Sequence, residues 1–281
     1  MNKNKGVLPI TGKVLTGAML VLMVFIALFP FLWMIFTSIK PQREIFSVPP
    51  RIFSDAPTYS NYFRVLFQSS IPRAFFNSVI VALGVTGGTM LLASFAAYGL
   101  ARYRFLGSST ITVSLLFGQM MPGVVVLLPL YLFYSKVGFI DSYRILILTN
   151  LAVSLPMGVL TLTPFIKNIS VDIDGSAMID GASGLSTLFR IILPIASPGL
   201  VTIGIFSFLN TWEEYLFAFN FTNSAAYKTL PVSLAEFKGQ FIIDWGGMMS
   251  AAVIISIPVL LLFLICNKYF IKGIADGAVK G

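Results

Sequence analysis

Long apolar runs are the feature that most constrains how this chain of 281 residues folds. A window of about 19 residues finds six runs, each long enough to cross ~30 Å of hydrocarbon. Backbone groups exposed to lipid must satisfy their own hydrogen bonds, so each run is predicted to be helical. The predicted spans cover residues 14–36, 78–101, 110–135, 145–166, 198–220 and 249–270. The sequence thus predicts an all-α integral membrane protein, with residues 1–281 forming a single transmembrane domain.

The composition supports a membrane protein. Hydrophobic residues make up 57% of the chain and charged residues only 11%, against about 25% charged in a soluble domain. The net charge of +8 is interpreted as loop charge facing anionic lipid. Nucleic-acid binding is disfavoured, because no basic cluster with interleaved aromatic residues occurs.

Most catalytic chemistry is also excluded by the residue types. The chain has no histidine and one cysteine, Cys266, inside an apolar run, which rules out a disulfide within the chain, a His-based triad and a typical zinc site. Residues 6–13, GVLPITGK, fail the phosphate-loop pattern because five residues separate the glycines and Val14 follows the lysine. The chain is therefore predicted to be no enzyme and to hold no metal or cofactor.

The first run is predicted to be a retained span. Lys3, Lys5 and Lys13 precede it as in a signal peptide, but its apolar part is about 23 residues long, against 7–15 in a signal sequence. Six spans place both termini on one side of the membrane. The 19 Lys and Arg residues divide ten to nine between the sides, so only the three leading lysines favour termini inside.

Small residues and prolines mark the interior of the spans. Gly84 and Gly88 form a face that permits close helix packing, either within the chain or against another subunit. Pro122, Pro129 and Pro156 lie inside predicted spans, where each proline either kinks the helix or breaks it beside a cavity.

Residues 170–197 are predicted to form a helix-turn-helix bracket outside the bilayer. The first helix, from about 170 to 179, carries acids in its first turn, where the helix dipole favours them. Gly181 and Gly184 then provide a bend, and Asp180 is predicted to cap the second helix. Four apolar residues share one face of that second helix: Leu185, Leu188, Phe189 and Ile192. The pattern suits either a bracket pushed by a partner or a plain interfacial hairpin.

This stretch resembles the cytoplasmic coupling loop of binding-protein-dependent ABC importer permeases. Their pattern is Glu-Ala-Ala, three residues, Gly, a gap, and Ile-x-Leu-Pro. Gly175 stands where the usual Glu is found, and Asp174 is the nearest acid that could replace it, turned about 100° around a helix. The residues implied to couple to an ATPase are Asp174, Gly175, Ser176, Ala177, Asp180, Gly181, Ala182 and Gly184.

The resemblance covers nearly the whole chain and is to the carbohydrate-uptake subgroup. The other matching stretches are Thr37–Pro41, Asn61-Tyr62, Asn77-Ser78, Ala97-Tyr98 with Arg102 and Phe105, Gln119-Met120 with Pro122, Trp212–Tyr215, and Asp276–Gly281. The resemblance implies a type I importer permease fold in the inner membrane, with both termini and the coupling loop cytoplasmic. It also implies that the chain forms half of the path for a sugar delivered by an external solute-binding protein. A second homologous permease and two ATPase subunits, which bind ATP and Mg, would complete the transporter.

Two acids lie deep in the fifth predicted span. Glu213 and Glu214 follow Trp212, about 22 Å into the span, and ionisable residues at that depth face a cavity or a partner. These three residues are predicted to line the solute path. The alternative is that the acids lie near the outer interface, paired with a lysine or another subunit.

Two other functions compete with an ATP-driven importer. An ion- or proton-coupled secondary transporter needs buried coupling acids, for which only Glu213 and Glu214 qualify, and usually an internal repeat, which is not evident. A membrane scaffold that transports nothing would have little use for helix-breaking prolines and buried acids.

Overall fold

The computed structural model describes the backbone of residues 10–239 and 243–278. Within these ranges the regular structure is helical, apart from one isolated bridge between Lys238 and Ile243. The predicted all-α class is confirmed. Lys3 and Lys5, which favoured an inside N-terminus, lie outside the described residues.

The first half of the described chain contains seven helices. In chain order they are α1 (Ile10–Ser38), α2 (Gln42–Ile45), α3 (Ser60–Phe67), α4 (Ile71–Arg102), α5 (Ser108–Met120), α6 (Gly123–Lys136) and α7 (Tyr143–Lys167). The second half contains shorter elements and one long final helix. They are α8 (Val171–Ile179), α9 (Gly184–Thr187), a π-helical turn (Leu188–Ile192), α10 (Leu193–Ile195), α11 (Ser197–Trp212), α12 (Leu216–Phe221), α13 (Leu230–Ala235) and α14 (Trp245–Ala278).

Six spans are accounted for when two bent helix pairs each count as one. Among the described residues, four stretches are long and apolar enough to cross a membrane unbroken: Val14–Ser38, Ile71–Arg102, Tyr143–Lys167 and Trp245–Cys266. The pair α5 and α6 meets at 97°, and the helices from Gly184 to Ile195 meet α11 at 83°. The described residues thus contain four unbroken candidate spans, or up to six if each bent pair is one span, which is compatible with the six predicted.

The third predicted span is broken rather than continuous. Met121 is extended, with φ −70° and ψ 123°, and Pro122 has ψ 128°. A proline lacks the amide that would continue the helix and pushes the preceding residue out of the α region. Pro122 therefore breaks its span, whereas Pro129 and Pro156 lie inside the helices α6 and α7.

The fifth predicted span, 198–220, ends earlier than hydropathy indicated. Helix α11 stops at Trp212, and α12 begins only at Leu216. The residues between them include Glu213 and Glu214, which a hydropathy average over about 19 residues absorbs into the apolar run.

The described residues of Met1–Ser69 and Phe237–Ile254 form one compact unit, and those of Ser70–Glu236 and Ile255–Gly281 form another. The single transmembrane domain stays a prediction.

In the first unit, the buried Asn61 side-chain amide donates to the carbonyls of Ser38 (2.9 Å) and Lys40 (3.0 Å). Ser250 Oγ in α14 donates to the same Ser38 carbonyl (3.1 Å), so the end of α1, α3 and the start of α14 are joined.

The second unit is built on α4 packed against α7 and α11. A Cβ added to Gly84 would lie 3.0 Å from Ile147 Cδ1, and one added to Gly88 would lie 2.7 Å from Leu151 Cδ1. Both neighbours belong to α7. The glycine face therefore permits a close approach within the chain, the first of the two predicted alternatives.

A polar clasp closes one end of this unit. Asp141, in the loop between α6 and α7, has a φ of 59°, and its Oδ1 accepts from the amides of Asn223 (2.9 Å) and Ser224 (3.0 Å). Its own amide donates to the Phe221 carbonyl (2.9 Å). The clasp thereby fixes the end of α12 to the start of α7.

Candidate coupling bracket and translocation groove

The bracket predicted at 170–197 is present as a helix-turn-helix. Ser170 caps α8 by accepting from the Asp172 amide (3.3 Å), and the first turn carries Asp172 and Asp174 as expected. The chain then reverses at Gly181, whose φ of +79° is in the left-handed region open to glycine.

The predicted capping role of Asp180 is wrong. Asp180 is the C-terminal cap residue of α8, and its amide donates to the Ser176 carbonyl (3.1 Å). The second helix begins only at Gly184, so its capping position falls on Ser183, whose hydroxyl accepts from the Ser186 amide (3.3 Å). The turn is three residues longer than the sequence prediction allowed.

The apolar face of the second bracket helix is only partly buried. Leu188 and Ile192 are fully enclosed, whereas Leu185 and Phe189 are exposed. Residues Leu188–Ile192 form a π-helical turn, which has more residues per turn than an α-helix. The i, i+3, i+4, i+7 pattern assumed regular α geometry and therefore overestimated the buried face.

The inner face of the bracket is held to α4 by a buried ion pair. Asp174, only 5% exposed, lies with its Oδ2 2.9 Å from Arg102 Nε, and its Oδ1 accepts from the Tyr98 hydroxyl (2.8 Å). Arg102 Nη1 also donates to the Ile169 carbonyl just before α8 (3.1 Å). The carboxylate therefore faces the core of its own chain.

The outer face of the bracket is exposed and partly apolar. Gly175 and Ser176 are exposed, and a Cβ at Gly175 would meet nothing within 4 Å. Met178, Ile179 (87% exposed) and Leu185 lie uncovered nearby. Large exposed apolar side chains clustered beside polar residues are typical of a protein contact surface.

The three residues predicted for the solute path occupy different environments. Trp212 is buried, stacks on Phe208 with ring centroids 5.4 Å apart, and donates its indole N–H to the Ile255 carbonyl (3.3 Å). The carboxylate of Glu214 accepts from the amides of Phe217 (2.6 Å) and Ala218 (3.0 Å), so it caps the start of α12. Glu213, the cap residue that ends α11, is exposed.

A groove of about 450 Å³ lies beside the break between α5 and α6. Its lining comes from five helices and the break itself: Gly118, Gln119, Met121, Gly123, Val126, Leu130, Thr149, Ala152, Val153, Met157, Phe206, Asn210 and Phe217. Sequence reasoning missed this groove, because no local pattern shows which helices meet. The available signal was three polar residues inside apolar runs, Gln119, Thr149 and Asn210.

Known proteins resemble this chain over most of its length. Residues 89–276 match the family described as binding-protein-dependent transport system inner membrane component. The chain is 34% identical to the sulfoquinovosyl glycerol transport system permease protein SmoH of Agrobacterium fabrum over 254 residues, covering 90% of this chain and 89% of the relative. It is 35% identical to the trehalose/maltose transport system permease protein MalG of Thermococcus litoralis over 264 residues, covering 93% and 94%.

The fold is shared with a solved transporter. A bacterial ABC transporter involved in the import of the acidic polysaccharide alginate contains a chain that superposes with a TM-score of 0.81 at 19% identity, covering 92% of this chain and 96% of that one. At this identity the likeness shows the fold alone. With the family match and the relatives above, the conclusion is that this chain belongs to the binding-protein-dependent ABC importer permeases, as a multi-pass membrane subunit.

Proposed function

We propose that this chain is one of two permease subunits of an ATP-driven sugar importer. A second homologous permease would form the other half of the path, an external binding protein would deliver the solute, and two ATPase subunits would bind ATP and Mg. The sugar assignment is supported by the names of the relatives, which transport sulfoquinovosyl glycerol and trehalose or maltose.

The two-faced bracket is the observation that carries this proposal. Its inner face is fixed to α4 through the buried pair of Asp174 and Arg102, while its outer face leaves Met178, Ile179 and Leu185 uncovered. A plain interfacial hairpin has no need for a buried ion pair, whose desolvation is costly. A segment that receives force from a partner needs an open face that binds the partner and an inner face that is fixed to the membrane helices.

We propose that the bracket passes the motion of the ATPases to two helices, α4 and α11. ATP-driven closure of the ATPases would press on the outer face, around Gly175, Ser176, Gly181, Ala182 and Gly184. The motion would reach α4 through the ion pair and α11 through the 83° bend. Rocking of these helices would alternate access to the path.

We propose that both termini and the bracket are cytoplasmic. An even number of spans places the two termini on one side. The bracket follows the fourth span, so it lies on the same side as the termini, where the ATPases must bind. The polar clasp at Asp141 then lies at the opposite, external end.

Glu213 is the member of the predicted path set that best suits contact with solute. The exposed residues of α11 form one stripe at helical spacing, made of Thr202, Phe206 and Asn210, and the stripe continues to the cap residue Glu213. Trp212 and Glu214, whose polar groups are already bonded, would support the path by fixing the end of α11 and the start of α12.

Gentle purification from native membrane followed by mass spectrometry tests the assembly. The expected result is a second permease and an ATPase with this chain, in a ratio of one, one and two. Recovery of the chain alone, or only with copies of itself, would overturn the proposal and favour a secondary transporter.

A further inference from the structure

We propose that the groove beside Pro122 is a solute-binding surface selective for uncharged, hydroxyl-rich solutes over anionic ones. The inference rests on the proposed function for its context, since it concerns what passes along the path. It separates neutral sugars from the sugar acids and sugar phosphates that the same kind of importer could carry.

Two polar side chains of the groove, Gln119 and Asn210, are exposed to a ligand, and a third lies buried in its wall. The buried one is Thr149, 1% exposed, whose hydroxyl has no hydrogen-bond partner among the described residues, although a buried polar group without a partner is costly. The Gln119 amide reaches only the Met157 sulfur (3.2 Å), a weak acceptor. Asn210 is exposed on the facing helix α11. Amides and hydroxyls both donate and accept, as sugar hydroxyls do.

The break in the third span indicates water in the groove rather than lipid. Gln119, Met121 and Gly123 line it, and the chain between α5 and α6 is not helical at Met121 and Pro122. Non-helical backbone at membrane depth is tolerated only where protein buries it or where it lines a water-filled cavity. Within this chain the groove satisfies the second condition, because Gln119, Met121 and Asn210 are exposed in it.

The absence of charge in the lining decides the solute class. None of the described residues that line the groove is Lys, Arg, Asp or Glu. An anionic solute would lose hydration there without gaining a cationic partner. The nearest charge along the exposed stripe of α11 is Glu213, one helical turn beyond Asn210, and its carboxylate would repel an anion.

Apolar side chains complete the match to a sugar. Phe206, Val153 and Met157 present C–H and aromatic surface in the same groove as the amides. A volume of about 450 Å³ is within the range of small-molecule sites. Sugars carry apolar C–H faces as well as hydroxyls, so they use both kinds of surface.

Cysteine labelling of the assembled complex tests the groove directly. In a Cys266→Ser background, cysteines are placed at two exposed apolar residues of the groove lining, Ala152→Cys and Val153→Cys, which leaves the polar groups proposed to bind solute in place. Both variants are treated with a cationic methanethiosulfonate reagent, with Leu132→Cys on the exposed face of α6 as the control. Thiols react as thiolates, which hydrocarbon suppresses, so both groove cysteines should react at least about tenfold faster than the control. Labelling no faster than at Leu132→Cys would overturn the proposal.

Protection by solutes tests the selectivity. Maltose, trehalose, cellobiose and raffinose are the uncharged probes, and digalacturonate and glucose 6-phosphate are the anionic ones. At least one uncharged probe should slow labelling about fivefold at roughly four times its Kd, and neither anionic probe should do so. Protection by an anionic probe, or by none of the six, would contradict the proposal.

A parallel assay separates this inference from the proposed function. Uptake is measured in proteoliposomes that contain the whole transporter with the unaltered chain. The assay is run with and without ATP on the side of the membrane where the ATPase subunits lie. Uptake that does not depend on ATP would sink the importer proposal, while the labelling result would still decide whether the groove admits uncharged solutes.

Discussion

The carboxylate of Asp174 lies 2.9 Å from Arg102 Nε, and both side chains are less than a tenth exposed. This pair joins the first bracket helix to the end of α4. Because the acid is turned inward, it does not replace the glutamate that the coupling-loop pattern places at Gly175. The pair instead fixes the first bracket helix to the end of α4.

Replacing Asp174 with Asn should destabilise the complex and uncouple it. The change leaves a buried guanidinium without its counter-charge, which costs about 3–5 kcal/mol. We expect a lower unfolding temperature and ATP hydrolysis without uptake, measured on the purified complex and in proteoliposomes. Asp172→Asn, at an exposed acid in the same turn, is the control. A double variant, Asp174→Leu with Arg102→Met, should regain most of the lost stability; failure of both expectations would exclude the pair as a structural link.

Gly175→Glu should strengthen coupling. The position is exposed with open space around it, and replacing glycine inside α8 adds about 0.5–1 kcal/mol of helix stability. We expect more solute transported per ATP hydrolysed. Gly175→Ala supplies the helix propensity without the carboxylate, so a gain seen equally in both variants would show that the acid itself adds nothing.

Mutations of Glu213 and Glu214 should have different effects, one on uptake and the other on stability. Glu214→Gln weakens two charge-assisted hydrogen bonds at the start of α12 and should cost about 1 kcal/mol, seen as a lower unfolding temperature. Glu213→Gln should leave the unfolding temperature unchanged but reduce uptake. Full uptake by Glu213→Gln would remove Glu213 from the solute path.

Gly181→Leu should uncouple transport while leaving membrane insertion intact. Its φ of +79° costs about 1–2 kcal/mol for a residue with a Cβ, so the bracket turn would be distorted. Insertion is measured by membrane fractionation and coupling by ATP-dependent uptake. Gly181→Asn, which tolerates this backbone conformation better, should retain more activity; normal uptake by Gly181→Leu would argue against a role for the turn.

The clasp at Asp141 should make stability depend on acid pH. Burial raises the pKa of this carboxyl, but hydrogen bonds from Ser224 and Asn223, together with the charge of Lys228, outweigh burial and hold the pKa below its ordinary value of 3.8. Since the folded pKa is below the unfolded one, the clasp stabilises fully above the unfolded pKa and its contribution is lost as pH falls through the folded pKa. Thermal unfolding below about pH 4 should therefore be steeper in pH for the native chain than for Asp141→Asn. Asparagine also accepts a positive φ, and identical pH profiles would refute the assignment.

The spans were predictable because lipid imposes a length and a polarity that a hydropathy window detects. The window could not show that Pro122 divides one span at 97°, because a proline inside an apolar run either kinks or breaks it. The hydropathy window also extended the predicted fifth span beyond Trp212, because two glutamates barely lower the mean hydropathy of a run of about 19 residues.

The bracket was predictable in outline and not in detail. Spacing of glycines and acids located its two helices, but the left-handed turn at Gly181 moved the cap from Asp180 to Ser183. The orientation of Asp174 depends on Arg102 and Tyr98, which lie more than 70 positions away in sequence. The groove was missed for the same reason, since Gln119, Thr149 and Asn210 meet only after three helices have packed.

The division of the bracket into a buried and an open face has an evolutionary consequence. Residues on the open face, such as Gly175 and Ile179, contact no packed interior, so they can change without disturbing the membrane helices. Under the proposed function, a different ATPase could be accommodated by altering a few surface side chains, while the pair of Asp174 and Arg102 stays as it is. The open face of the bracket and the packed membrane helices can in this sense change independently of each other.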